Sequence, residues 1–206
     1  MTIEDLKQKF PFPSVKPEVE EYLTGSVDVT HYEVFSHFLT DNTSLILEIG
    51  SYIGMSARLL LNCAKNASLI CVDPWWGMVD VETITNGVAK KESISEYDMF
   101  ISNMWDYKDR IIPVRSLSQI GLHDIYNSGV KPEMVYIDGW PDFYQVVAEL
   151  ELIHRFFPDA KIFGNEWELK PKDGASAPNV SGAVQYWCHL KNFKVQIHNN
   201  VFRIIK

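Results

Sequence analysis

The sequence predicts an α/β fold: a mostly parallel, seven-stranded sheet between helical layers, ending in an antiparallel hairpin. Three observations carry it. Short apolar runs alternate with stretches of helical periodicity along the chain. Several of those runs end in an acidic residue, at Glu48, Asp73 and Asp138, with Glu166 after a further run. The last residues, Lys194 to His198 and Val201 to Ile205, are two short strand-like segments around Asn199-Asn200, a pair that tolerates the positive φ of a tight turn.

Residues 1–43 form an N-terminal helical prelude: a segment near Ile3 to Phe10, the breakers Pro11, Pro13 and Pro17, a second segment from Glu18 to Leu23, then Thr30-His31-Tyr32-Glu33. That last stretch has capping-box spacing and opens a helix with Val34, Phe35, Phe38 and Leu39 on its apolar face. A lone His31 in its first turn reads as a polar surface residue, with a place near a substrate as the alternative.

The first strand is Leu45-Ile46-Leu47-Glu48-Ile49, and Gly50 after it permits a sharp turn into the helical spacing of Ile53 to Asn66. The turn lacks the second, closely spaced Gly with which a dinucleotide fingerprint admits a pyrophosphate. Ser68 to Val72 is the next strand, and Asp73 at its tip lies 23 residues after Gly50. A carboxylate there suits the two hydroxyls of a ribose, and Trp75 or Trp76 beyond it could lie on an adenine face or near a cation. Met78 to Glu96 shows no clean period, despite Asn86-Gly87, and reads as a partly helical excursion able to form a lid.

Tyr97 to Met104 is helical. Ile111 to Val114 is an edge strand because Pro113 is poorly tolerated centrally. Ser118-Gln119 then start a helix with Leu117, Ile120 and Ile125 inward and Gly129 as its stop. Glu133 to Ile137 is the fourth strand, ending at Asp138-Gly139-Trp140. The helix after it sets Phe143, Val146, Val147 and Leu150 on one face, with Glu149 and Glu151 opposite. Ala160 to Phe163 is the fifth strand, ending at Gly164-Asn165-Glu166; the polar loop 168–179 and a helix from Val180 to Trp187 follow.

The 206 residues suit one domain, and the net charge of -8 with no basic stripe argues against long nucleic-acid contacts. No apolar run is long enough to span a bilayer, and the acidic N-terminus is unlike a signal peptide. Cys63, Cys71 and Cys188 are widely spaced in apolar contexts, as reduced core cysteines of a cytoplasmic protein are. A small-molecule substrate is the expectation.

Parallel strands bring their carboxyl ends to one rim, so Glu48, Asp73, Asp138 and Glu166 should converge on one crevice. Over about residues 30–206 the chain resembles the class I S-adenosylmethionine (SAM) methyltransferases, a Rossmann-like three-layer family, and within them the small O-methyltransferase branch of catechol-type and macrocin-type enzymes. The resemblance rests on Glu48 to Ser56, Val72-Asp73-Pro74-Trp75, Ser118-Gln119 and Tyr136 to Trp140. It implies a prelude (1–43) and a SAM-binding domain (44–206), with Glu48, Gly50, Ser51, Tyr52 and Ser56 around the methionine part. By the same resemblance Asp73 takes the ribose, Trp75 packs near the cofactor, Ser118, Gln119 and Trp140 meet the adenine, and Asp138 lies beside the cofactor.

The branch often holds a divalent cation, here through Asp138, Asn165 and Glu166, whose hard oxygens suit Mg²⁺ or Ca²⁺. Such an ion would lower the pKa of an acceptor hydroxyl. Asp138 and Glu166 are then the candidate catalytic residues. Pro141 stands where catechol-type enzymes carry a Lys base, and Asn165-Glu166 replaces an acidic pair. His31 is a further candidate base. The implied function is methyl transfer to an oxygen of a small acceptor, a sugar or natural-product hydroxyl. Two rivals stand beside it: a SAM- or metabolite-binding module without catalysis, and a nicotinamide-dependent oxidoreductase, disfavoured by the glycine spacing. The prelude helix either covers the cofactor or pairs with a second copy in a homo-oligomer.

Overall fold

The computed structural model describes residues 2–19, 29–85, 88–165, 167, 180–198 and 200–206. In chain order the first half comprises α1 (Ile3–Lys9), α2 (Val29–Phe38), β1 (Leu45–Ile49), α3 (Met55–Cys63), β2 (Ser68–Asp73), β3 (Met78–Thr85), β4 (Val88–Ser95) and α4 (Glu96–Asn103). After a 3₁₀ turn follow β5 (Ile111–Arg115), α5 (Ser118–Asn127), β6 (Met134–Ile137), α6 (Phe143–Phe156), β7 (Lys161–Gly164), α7 (Val180–Lys191), β8 (Lys194–His198) and β9 (Val201–Ile205).

The main sheet has the order β5-β2-β1-β6-β7-β9-β8. Strands β5, β2, β1, β6 and β7 are parallel neighbours, and β9 runs antiparallel to both β7 and β8. The predicted seven strands and terminal hairpin are therefore present, and Pro113 sits on the edge strand β5, where a missing N–H leaves no ladder bond unmade. The chain leaves β1 towards β2 on one side and later returns to β6 on the other. A crevice opens at that reversal, outside the carboxyl ends of the strands.

Helices cover both faces. Leu47 and Ile49 of β1 join Leu122 of α5, Leu150 and Ile153 of α6 and Trp187 of α7 in one core, to which Leu6 of α1 also belongs. Ile46 joins Leu60 and Leu61 of α3, Phe100 of α4 and Phe35 of α2 in the other. The prelude thus contributes to both layers, and Lys9 of α1 pairs with Asp124 of α5 at 2.8 Å. The three cysteines are free thiols, Cys71 and Cys188 buried and Cys63 half-buried. Among the described residues no helix is long and apolar enough to cross a membrane.

Three expectations are corrected. Met78 to Ser95 is an antiparallel hairpin, with Met78 opposite Ser95 and Thr85 opposite Val88. Its inward residues Val79 and Val81 pack on Ile53 and Met99, and this contact selects the strand period over a helical one. On α5 the buried residues are Ser118, Gly121, Leu122 and Ile125, whereas Leu117 and Ile120 face outward. A Cβ on Gly121 would lie 2.6 Å from Val72 Cγ1, so the helix approaches β2 through a residue without a side chain. Glu149 of α6 is only 1% exposed and shares the buried stripe of Val146, Leu150 and Ile153. Most of the expected segment from Glu18 to Leu23, the loop 168–179 and Glu166 lie outside the described residues.

Candidate functional site

A crevice of about 540 Å³ opens over the ends of β1, β2 and β6, walled by Gly50, Tyr52, Asp73, Glu96, Ser118, Asp138, Trp140, Gln145 and Glu149 among others. Its floor is the turn after β1. Gly50 has φ +84°, and a Cβ there would lie 2.3 Å from Asp138 O and 2.5 Å from Gly139 Cα. Only glycine lets the two strand ends approach so closely. Gly50 N donates to Val72 O (2.9 Å) and Asp138 N to Ile49 O (2.8 Å), which ties the three strand ends into one rim.

Glu48 is fully buried and faces away from the crevice-lining positions. Ser51 Oγ donates to Glu48 Oε2 at 2.5 Å, while Oε1 has no hydrogen-bond partner. Burial pushes the Glu48 carboxyl up to about 7, against the pull of the Ser51 and Ser56 hydroxyls. Ser51 and Ser56 are themselves buried behind the turn. Of the residues expected around a methionine moiety, Gly50 and Tyr52 reach the crevice wall, and Glu48, Ser51 and Ser56 form the support beneath it.

Asp73 occupies the tip of β2 as expected. Its Oδ2 accepts from the Tyr52 amide at 2.9 Å and its Oδ1 from the Trp75 amide at 2.7 Å. Burial raises its pKa above the ordinary carboxylate value, these amides pull it down, and the charge of Glu96 raises it again. Each oxygen retains a lone pair for a ligand hydroxyl.

Trp75 does not line the crevice. It is buried, its φ is +44°, and its ring packs against Tyr97 and Phe100. Its indole Nε1 donates to Tyr52 O at 2.6 Å, so it braces the Tyr52 turn from below. Trp75→Phe is expected to lose that bond and leave a small void, costing about 1–3 kcal/mol in urea unfolding. Trp76 is 74% exposed.

The opposite end is a polar network. Gln145 Nε2 donates to Ser118 Oγ (2.8 Å) and to Glu149 Oε1 (2.7 Å), and Gln119 Nε2 donates to Gln145 Oε1 (2.8 Å). Asp142 caps α6 by accepting from the Tyr144 and Gln145 amides, which fixes the turn that presents Gln145. Trp140 stands on the rim, 77% exposed. Ser118 and Trp140 therefore meet at one end, with Gln119 bonded into the same network. Gln145 and Glu149 are members that sequence reasoning missed. Their signal was the i, i+4 spacing, with Glu149 three residues after the inward-facing Val146.

Of the donors expected for a cation, Asn165 is already engaged. Asn165 is buried, and its Oδ1 accepts from Asn200 Nδ2 (3.2 Å) and lies 3.1 Å from His31 Nε2. A carbonyl oxygen so engaged has no lone pair left for an ion. Among the described residues no three His, Cys, Asp or Glu side chains cluster as metal ligands, and Glu166 lies outside those residues. His31, read from sequence as a surface residue, is 3% exposed and spends Nε2 on Asn165.

No family model matches the chain, and no curated protein matches it in sequence. Solved structures do. A Staphylococcus aureus protein assigned as a caffeoyl-CoA O-methyltransferase superposes with a TM-score of 0.62 at 11% identity, covering 100% of this chain and 92% of that one. A Bacillus cereus O-methyltransferase in complex with S-adenosylhomocysteine (SAH) gives 0.61 at 15%, covering 99% and 90%. A precorrin-6y C5,15-methyltransferase from Geobacter metallireducens gives 0.58 at 13%, covering 95% and 97%. The chain has the Rossmann-like fold of these methyltransferases.

Proposed function

We propose that the crevice binds SAM and that the chain transfers its methyl group to an oxygen of a small acceptor. The observation that carries this reading is the arrangement along one crevice: the Gly50 turn, the Asp73 carboxylate beside it, and the Ser118-Gln119-Gln145 amide network opposite. These features suit, in order, an amino-acid end, a ribose and a purine. Bound there, SAM supplies a methyl group on a sulfonium, which an acceptor hydroxyl takes in line, leaving SAH as the thioether product.

The chain's own contribution is to bind and orient. Asp73 accepts from the ribose hydroxyls while the Tyr52 and Trp75 amides hold it still. Asp138, one of the acids on the wall, takes the acceptor's proton, with its backbone fixed to β1. Asn165 spends its side-chain oxygen on Asn200 and His31 and does not offer it to a metal ion. That same engagement of Asn165, with Pro141 at the position of the missing Lys, favours one other reading: a module that binds SAM without turnover. It predicts SAH binding with no methylated product from any hydroxylic acceptor.

Calorimetric titration with SAH tests the reading. Asp73→Ala is expected to weaken binding on the order of a hundredfold, as loss of hydrogen bonds to a charged acceptor does. An unchanged affinity would contradict the assignment of the crevice.

A further inference from the structure

We infer that a second cavity, between α2 and the β8–β9 hairpin, binds a small organic monocarboxylate through Arg203. The cavity measures about 390 Å³ and shares no lining residue with the crevice. Glu33, Val34 and Phe38 border it from α2. On the hairpin Gln196 stands directly opposite Arg203, and Val201, two residues before Arg203, packs with Val34. Residues two apart on a strand share a face, so Arg203 and Gln196 stand on the side turned towards α2.

Arg203 lacks the partner a guanidinium ordinarily has. It lies over the rings of Phe38 and Phe163, 4.3 and 5.7 Å from their centroids. Among the described residues no carboxylate pairs with it, and its Nε is buried without a hydrogen-bond partner. The rings offset part of the cost of desolvating the charge but do not replace the N–H hydrogen bonds of its fork. A buried donor left unmatched is costly, and an anion entering the cavity relieves it. A carboxylate fits the fork with two parallel bonds, and the Gln196 amide adds a donor beside it.

The rest of the lining restricts the ligand further. Val34, Phe38 and Val201 are apolar wall, which suits an apolar body behind the carboxylate. Arg203 is the one permanent cation of the lining and Glu33 its one carboxylate, so a ligand with a second negative charge would meet Glu33 uncompensated.

The probe is 2-naphthoate, compared by calorimetric titration with 2-naphthylmethanol, which lacks the charge, and 2-naphthyl phosphate, which carries a second. The proteins are the wild type, Arg203→Met, which keeps an apolar stem on Phe38, and Glu33→Gln, a change at an exposed residue. The wild type is expected to bind naphthoate about tenfold more tightly than the alcohol, and more tightly than the phosphate. Arg203→Met is expected to lose the preference over the alcohol, and Glu33→Gln to bind naphthoate about two- to threefold more tightly. Because the second variant predicts a gain, a folding defect in the first does not decide the outcome. Saturation with SAH is expected to leave the naphthoate affinity unchanged, since the two sites share no wall. No binding of naphthoate by the wild type at about 1 mM, equal affinity for the alcohol, or tighter binding of the phosphate would overturn the inference. So would a folded variant whose affinity does not move in the stated direction, or displacement of naphthoate by SAH, which would put the probe in the crevice.

Discussion

Replacing Gly50 with Ala is expected to cost more stability than any other single methyl group added at a described glycine turn. Two penalties combine. The residue sits at φ +84°, where a Cβ costs about 1–2 kcal/mol, and that Cβ would lie 2.3 to 2.5 Å from backbone atoms of Asp138 and Gly139. Backbone cannot move aside by changing a rotamer, so the ends of β1 and β6 must separate, at about 1–3 kcal/mol more. The total, about 2–5 kcal/mol, corresponds to a fall in melting temperature on the order of 10 °C for a chain of this size. Gly129 provides the comparison, since its φ is +74° and nothing lies within 4 Å of a built Cβ. Gly129→Ala is expected to cost only about 1 kcal/mol. Calorimetric melting of both variants checks the argument, and equal losses would show that conformational strain alone, without the strand contact, governs Gly50.

The second large effect concerns Glu48 and pH. Burial raises its folded-state pKa from 4.5 to about 7. A raised carboxyl pKa means that the folded protein binds the proton more tightly than the unfolded chain does. The associated stability is present in full below about pH 4.5 and is lost as pH rises through about 7. At about 1.4 kcal/mol per unit, the loss across that window is about 3 kcal/mol. Asp73 and Glu149 are also raised, so they add slopes of the same sign, and Glu48→Gln isolates one contribution. Urea unfolding at pH 5 and pH 8 is expected to show the variant gaining on the wild type by about 3 kcal/mol between the two. Parallel curves would mean that Glu48 ionises in the folded state as it does in the unfolded chain.

The sheet was legible because its signal is local and repeated: a short apolar run, an acid or glycine at its tip, then a helical stripe. Asp73 and Asp138 follow from that pattern, since parallel strands put their carboxyl ends on one rim whatever the separation in sequence. The hairpin β3–β4 was less visible, although Val79 and Val81 alternate with Met78 and Asp80 ahead of Asn86-Gly87, a favoured hairpin dipeptide. Its strands contain too few apolar residues to stand out as core. Glu149 was assigned to the wrong face because a charged side chain is ordinarily solvated. It is inward because Gln145, one helical turn before it and itself bonded to Ser118 from a distant part of the sequence, satisfies one of its oxygens. Trp75 shows the complementary limit: its place after the β2 acid was plain, but the turn that buries its ring under Tyr52 depends on contacts with Tyr97 and Phe100.

The most direct measurement is a diffraction structure of the chain crystallised with SAH. The account predicts the ligand in the crevice between β1, β2 and β6, its ribose hydroxyls on Asp73 and its base against Ser118, Gln119 and Glu149. Ligand density at another place on the molecule, or a ribose turned away from Asp73, would contradict it.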